Sequence, residues 1–355
     1  MIFDKIDVNT EAVKVSLLLA VENFESSWCF YKKQYMECLD FFFGIANQKK
    51  YKINKEGMPF LFIFRHTVEL ALKEKISKTN INFSHLNTHS LSELLNLIED
   101  DALPSDFLSK LSVLNVNNDG SCFRYIKDKE GCRYWKKQSL EAYSAAVYFS
   151  SICQEAFSVN MQNRITDSNM NKMKGELTVY TDNLNLGQLR TCYDFALSEI
   201  LGGINGGQLN INDVYLPVLF LVRHGLELAF KQSLADFNEK LTDKQKSKID
   251  GEHSLKLLFA YWDEHLNISI KNMGKNLEEV RKKARLDRVS TVALQNKLSL
   301  LDQKSYAFRF PFDDKGNPLD FHLEREAILD IVKLYQEVDS YVTFATPYFQ
   351  QIGIV

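Results

Sequence analysis

The chain has 355 residues, 45% of them hydrophobic and 25% charged, with a net charge of −3. That is enough chain for two ordinary globular domains, and the charge balance excludes an overall basic field that would draw the protein to nucleic acid or an anionic membrane. Cys29, Cys38, Cys122, Cys132, Cys153 and Cys192 form no C-x-x-C pair and no zinc or disulfide framework, so reduced thiols in a cytoplasmic protein are expected.

The opening residues, Met1 to Asp7, lack the basic-then-apolar order of a signal peptide. Residues 11–48 hold one or two long amphipathic helical segments, and residues 57–78 a helix whose first turns are apolar all round. A helix starts at Ser90 and runs to Ile98, with His89 or Ser90 at its cap. A shorter helix covers Asp106 to Val113, and Asn117-Asn118-Asp119-Gly120 is a turn signal. Ser139 to Phe157 reads as the amphipathic helix that closes a first domain, residues 1–160. Residues 161–176 read as a polar linker, and residues 177–355 as a second domain. Its elements are a helix at Gln188 to Leu201 and a flexible turn at Gly202, Gly203, Gly206 and Gly207. A helix at Val214 to Asp236 follows, then one at His253 to His265, and a closing helix at Leu319 to Phe344. Residues 266–300 form a charged insertion with no counterpart in the first half. No stretch of about 20 residues is free of charge, so no membrane span is expected. The longest candidate, from Val214, meets Arg223 and His224.

Three phrases occur twice in the same order. Pro59-Phe-Leu-Phe-Ile-Phe-Arg65-His66-Thr-Val-Glu69-Leu-Ala-Leu-Lys73 matches the run from Pro217 through Arg223, His224 and Glu227 to Lys231. His-Ser-Leu follows at His89 and at His253. Phe123-Arg124-Tyr125 with Asp128 and Gly131 matches Phe308-Arg309-Phe310 with Asp313 and Gly316. Repetition of this kind is the mark of an internal duplication. The expected fold is therefore all-α, with two tandem up-and-down helical bundles facing each other as a pseudo-dimer within one chain.

Residues four apart share a helix face. Arg65, Glu69 and Lys73 form one stripe and Arg223, Glu227 and Lys231 another, with His66 and His224 one step round. Two readings follow. Either the stripe is a buried ion network that sets helix register, since an unpaired buried charge costs several kcal/mol. Or it is a cluster for anion binding and acid–base catalysis, with the histidines moving protons and the arginines steadying phosphate. No H-E-x-x-H or similar metal spacing, Gly-rich phosphate loop or G-x-S-x-G elbow is present, so neither metal nor cofactor is expected.

The motifs resemble the HEPN superfamily of small helical bundles. The matching residues are Glu69 and Lys73, His89-Ser90-Leu91 and Arg124-Tyr125, then Glu227 and Lys231, His253-Ser254-Leu255 and Arg309-Phe310-Pro311. The resemblance implies a role in bacterial defence or toxin–antitoxin systems acting on RNA, with metal-independent endoribonuclease activity. It also implies a nucleotidyltransferase or antitoxin as a protein partner and pairing into a homodimer. Family ribonucleases carry an Arg followed four to six residues later by a His; here His66 and His224 directly follow Arg65 and Arg223. A catalytic site would be rebuilt from Arg65, His66, Glu69, Arg223, His224 and Glu227. Lys73, Lys231, His89, His253, Arg124 and Arg309 would serve as binding residues. The alternative is a non-catalytic HEPN-like module that binds a protein partner or a small anionic ligand.

Two local basic clusters, Lys127, Lys129, Arg133, Lys136 and Lys137 with Tyr125, Tyr134 and Trp135, and Arg281, Lys282, Lys283, Arg285 and Arg288, fit a single-strand RNA groove. The acidic residues among them, Asp128, Glu130, Glu278 and Glu279, equally fit a solvated face.

Overall fold

The computed structural model describes residues 7–20, 25–48, 52–98, 103–128, 130–136, 138–167, 170–182, 184–236, 241–271, 278–279, 282, 301, 306–319 and 323–351. The fold is all-α but for one short antiparallel strand pair, β1 (Ser139–Glu141) and β2 (Thr178–Tyr180), in register at Leu140 and Val179. The first half holds α1 (Glu11–Ser16), α2 (Trp28–Asn47), α3 (Ile53–Glu56), α4 (Met58–Ser77), α5 (Leu91–Leu95), α6 (Phe107–Lys110) and α7 (Tyr143–Phe157). Then come α8 (Met170–Glu176), α9 (Leu186–Asn205), α10 (Ile211–Asp236), α11 (Asp243–Gly251), α12 (Leu255–Lys271) and α13 (Ala327–Gln351).

Local chemistry explains the helix starts. The Ser27 hydroxyl accepts from the Phe30 amide at the head of α2, and the Ser90 hydroxyl from Glu93 at the head of α5. Asn185 with Gln188, and Thr242 with Gln245, form capping boxes on α9 and α11. Pro59 sits in the first turn of α4, where a missing N–H costs nothing. Pro217 lies deeper, inside α10, because that helix starts at Ile211 and not at Val214. The Gln34 side chain of α2 reaches into this stretch. Its amide donates to the Asn212 carbonyl at 2.5 Å and accepts from the Leu216 amide at 3.2 Å, so it bridges the two groups next to Pro217.

α4 and α10 are the central helices. Residues 58–74 and 214–231 are buried without a break, which is why neither segment shows a polar face. α2 packs on α4 and α9 on α10; crosswise, α10 also packs on α2 and α4 on α9. One hydrophobic cluster runs through both halves. At its centre Phe62 of α4 stacks on Phe220 of α10, ring centroids 4.4 Å apart. α12 and α13 cover the outer side of α10.

Several expectations change. Residues 161–176 are more than a polar spacer: Met161, Ile165 and Met173 are buried, and Asn163 donates twice to Asp40. Gly202 and Gly203 belong to the last turn of α9 and not to a loop. A Cβ on Gly203 would lie 2.5 Å from the Phe41 ring, so the glycine is what lets α9 approach α2. The expected helix at Ser139 begins as strand β1, and the closing helix starts at Ala327. Most of the charged insertion at 266–300 lies outside the described residues, beyond the end of α12 at Lys271.

The third shared phrase forms the same hairpin twice. Lys127 bridges to Arg133, and Phe312 to Pro318. In the first, Asp128 accepts from the Cys132 amide; in the second, Asp313 accepts from the Asn317 amide. Gly131 and Gly316 turn the chain with φ of 82° and 84°, a left-handed region that disfavours other residues.

Candidate functional site

Both stripes are closed ion networks built around a buried glutamate. Arg65 Nη1 donates to Glu69 Oε2 at 3.0 Å, and Lys73 Nζ to Oε1 at 3.0 Å. His89 Nδ1 donates to the same Oε1 at 2.8 Å. Arg65 Nη2 donates to the carbonyls of His89 at 2.6 Å and Asn118 at 2.8 Å, which leaves Nε buried without an acceptor. Gly120, with φ of 67°, lets the 117–120 turn close over this guanidinium: a Cβ there would lie 2.8 Å from Arg65 Cδ. The second network repeats the plan. Arg223 Nη1 meets Glu227 Oε2 at 2.7 Å, Lys231 meets Oε1 at 3.2 Å, and His253 Nδ1 meets Oε1 at 2.9 Å. Arg223 also donates to the His253 carbonyl, and Lys231 to that of Asp250.

The networks are completed by the opposite half. His66 Nε2 donates to the carbonyl of Arg309 at 3.0 Å, and His224 Nε2 to the carbonyl of Arg124 at 3.0 Å. A carbonyl only accepts, so the proton of each ring sits on Nε2. Tyr35 Oη donates to the Phe308 carbonyl and Tyr193 Oη to the Phe123 carbonyl, the same exchange again. Tyr35 and Tyr193 are separated by the same 158 positions as His66 and His224. The sequence also offers Cys38-Leu39-Asp40-Phe41 against Cys192-Tyr193-Asp194-Phe195, 154 positions apart, and the contacts set a register one helical turn away from that pairing. Four rings, His66, Phe62, Phe220 and His224, lie in one stack across the seam.

The electrostatics follow from burial. It pushes the His66 imidazole down to about 4 against the pull of Glu69, and lowers His224 likewise. Burial alone would raise Glu69, but Lys73 and then the His89 N–H hold it well below the usual carboxylate range. Lys231 and the His253 N–H do the same for Glu227. Lys73 lies 4.5 Å from the Phe310 ring centroid and 5.3 Å from that of Trp28; Lys231 lies 5.3 Å from Tyr125. Of the twelve residues singled out in the sequence, His253 is exposed, with 55% of its side chain accessible; His89, at 32%, and Arg124 and Arg309 are half-buried, and the rest are buried.

Arg124 and Arg309 differ from the rest. They sit at matched positions just before the hairpins and are half-buried. Neither has a carboxylate within ion-pair distance or a hydrogen-bond acceptor for its guanidinium among the described residues. The Nε of Arg124 is buried with no acceptor, as are those of Arg65 and Arg223, but those two pair through Nη and Arg124 does not. Each instead lies over rings: Arg124 over Phe62 and Tyr125, Arg309 over Tyr306 and Phe310.

The proposed RNA groove is only partly visible. Lys127, Arg133 and Lys136 are exposed, but Trp135 is buried, with Nε1 donating to the Cys122 carbonyl at 2.7 Å. Tyr134 is bonded to Ser121. Lys129, Lys137, Arg281, Lys283, Arg285 and Arg288 lie outside the described residues. Among the described residues no helix is long and apolar enough to cross a membrane, and no His, Cys, Asp and Glu cluster could hold a metal ion. No known protein family, curated protein or solved structure matches the chain.

Sequence reading missed Tyr35, Tyr193, Phe62 and Phe220. The Phe-x-x-x-His spacing at 62–66 and 220–224 was there to be seen, because stacked i,i+4 rings share a helix face.

Proposed function

We propose that this chain is a non-catalytic HEPN-like binding module, descended from a duplicated unit, in which the two stripes are scaffold and the seam between the halves takes an anionic ligand. The observation that carries this reading is the closure of both networks. A general acid–base needs a nitrogen free to meet the substrate, with a protonation equilibrium near neutral pH. The Nε2 atoms of His66 and His224 are committed to carbonyls of the opposite half. Their Nδ1 atoms face Glu69 and Glu227 at 3.7 Å, and burial keeps both rings neutral. Arg65 and Arg223 commit their Nη groups to the glutamates and to backbone carbonyls. These arrangements support register and rigidity over phosphoryl chemistry.

The test is incubation of the purified protein with total RNA, beside His66→Ala and His224→Ala variants checked for folding by circular dichroism. The expected result is intact RNA in every arm and a lowered Tm in both variants. RNA cleavage by the parent, lost in a variant that keeps its fold, would overturn the proposal in favour of an endoribonuclease.

A further inference from the structure

Each Arg that follows a repeated Phe, Arg124 and Arg309, reaches the seam without a partner, and the two charges feel each other. Burial first, and then the Arg124 charge, pull the Arg309 guanidinium down to about 10. Arg124 is raised despite its burial, because Tyr125, Tyr193, Asp119 and Glu227 lie on its side. Elsewhere in this core the chain pairs its buried cations: Arg65 and Lys73 with Glu69, Arg223 and Lys231 with Glu227, Lys32 with Glu74. Arg124 lies over Phe62, which stacks on His66, the ring bonded to the Arg309 carbonyl, so both arginines border one ring stack. Two guanidiniums there without a carboxylate within ion-pair distance stand against that pattern, since desolvated like charges destabilise a fold. Ring faces offset only part of the cost.

We propose that Arg124 and Arg309 together form a phosphate-binding site at the seam. The inference rests on the binding-module reading above and names its ligand chemistry. Two guanidiniums carry ten N–H donors and a charge of about +2. A carboxylate has two oxygens and one charge, so it satisfies one bidentate fork. A phosphate monoester carries about −1.5 to −2 charge and three terminal oxygens, enough to engage both forks at once. The Tyr125 hydroxyl, already bonded to His253 at 3.2 Å, stands beside Arg124 as a neutral donor at the rim. The phosphate could come from a free nucleotide or from an RNA backbone; the chemistry of the site is the same.

A site of this kind makes an unusual forecast: Arg309 weakens the empty protein. Melting of the full chain would be followed with and without inorganic phosphate, using chloride at equal ionic strength as the reference. Phosphate is expected to raise the parent's Tm. Arg124→Gln and Arg309→Gln are each expected to cut that rise by more than half, and the double variant to abolish it. Lys110→Gln, at an exposed cation on α6 away from the seam, should leave it unchanged. In phosphate-free buffer Arg309→Gln should hold or raise the Tm, whereas Glu69→Gln should lower it sharply. Titration with a nucleoside monophosphate and with a short single-stranded RNA then separates the sources. Tighter RNA binding, lost at least tenfold in the double variant, assigns the phosphate to a backbone; equal binding, lost likewise, assigns it to a small ligand. The proposal fails if phosphate leaves the parent's Tm unmoved. It also fails if the double variant keeps the rise, or if Arg309→Gln damages the empty protein as much as Glu69→Gln does. RNA cleavage by the parent would remove the non-catalytic reading while leaving this phosphate shift standing, so the two failures are distinguishable.

Discussion

At the scale of single residues, Glu69 and Glu227 decide what their neighbours can do. Each carboxylate is buried yet ionised because two cations and a histidine N–H surround it. Breaking such a network from one side costs about 3–5 kcal/mol, because the charges left behind stay buried. The histidines beside them pay no such cost, since they are neutral. His66 has a folded pKa of about 4, against about 6.5 in an unfolded chain. Between those values the unfolded chain binds a proton that the folded chain refuses. Its contribution to stability is therefore complete above pH 6.5 and falls away as pH drops towards 4. From pH 7.5 to pH 5 this one group should withdraw about 2 kcal/mol. His66→Gln keeps an N–H for the Arg309 carbonyl but does not titrate. Urea unfolding at the two pH values should show the variant losing about 2 kcal/mol less than the parent. Asp194, raised to about 7 by burial and then by Asp339, changes stability in the opposite direction but cancels in this comparison. Equal losses would mean that His66 titrates normally and is open to solvent.

At the scale of elements, the hairpins show how much was readable in the sequence and what was not. Arg124, Asp128 and Gly131, and Arg309, Asp313 and Gly316, announced a repeated turn by spacing alone, because only a positive-φ glycine and a capping aspartate close it. The apolar runs of α4 and α10 announced burial in the same way. The register between elements was not readable, because spacing along the chain says nothing about which half a hairpin packs on. Nor could it show that Gly203 serves the approach of α9 to Phe41, since a glycine in a helix end and one in a loop look alike in sequence. The two hairpin glycines also differ in surroundings. Gly131 faces open space among the described residues, whereas a Cβ on Gly316 would lie 2.9 Å from the Phe83 ring. Alanine at Gly131 should cost only backbone strain, about 1 kcal/mol. Alanine at Gly316 should cost at least about 1 kcal/mol more, through the displaced Phe83 in the other half. Paired thermal melts would measure this; equal shifts would show that the second hairpin does not press on the first half.

At the scale of the whole molecule, the exchange of hairpins binds the halves into one folding unit. His66 and Tyr35 hold the 308–310 segment, and His224 and Tyr193 hold 123–124. Each half thus supplies backbone acceptors for the other's buried His and Tyr, and neither closes its own core alone. Phe62 and Phe220 fix the centre, and Gln34 reaches from α2 into the Pro217 region of α10. Two domains joined by a linker would unfold as two units; halves that share one hydrophobic cluster and exchange buried hydrogen bonds cannot separate without exposing the seam and losing those bonds. Calorimetry of the full chain should therefore show one transition, with van't Hoff and calorimetric enthalpies in agreement. Phe62→Ala should lower that transition by about 3–5 kcal/mol of stability without splitting it, because the cavity opens on both halves at once. Two resolved transitions in the parent, or a Phe62→Ala variant in which one half melts early while the other keeps its parental Tm, would show that the halves fold independently and that the shared seam contributes little.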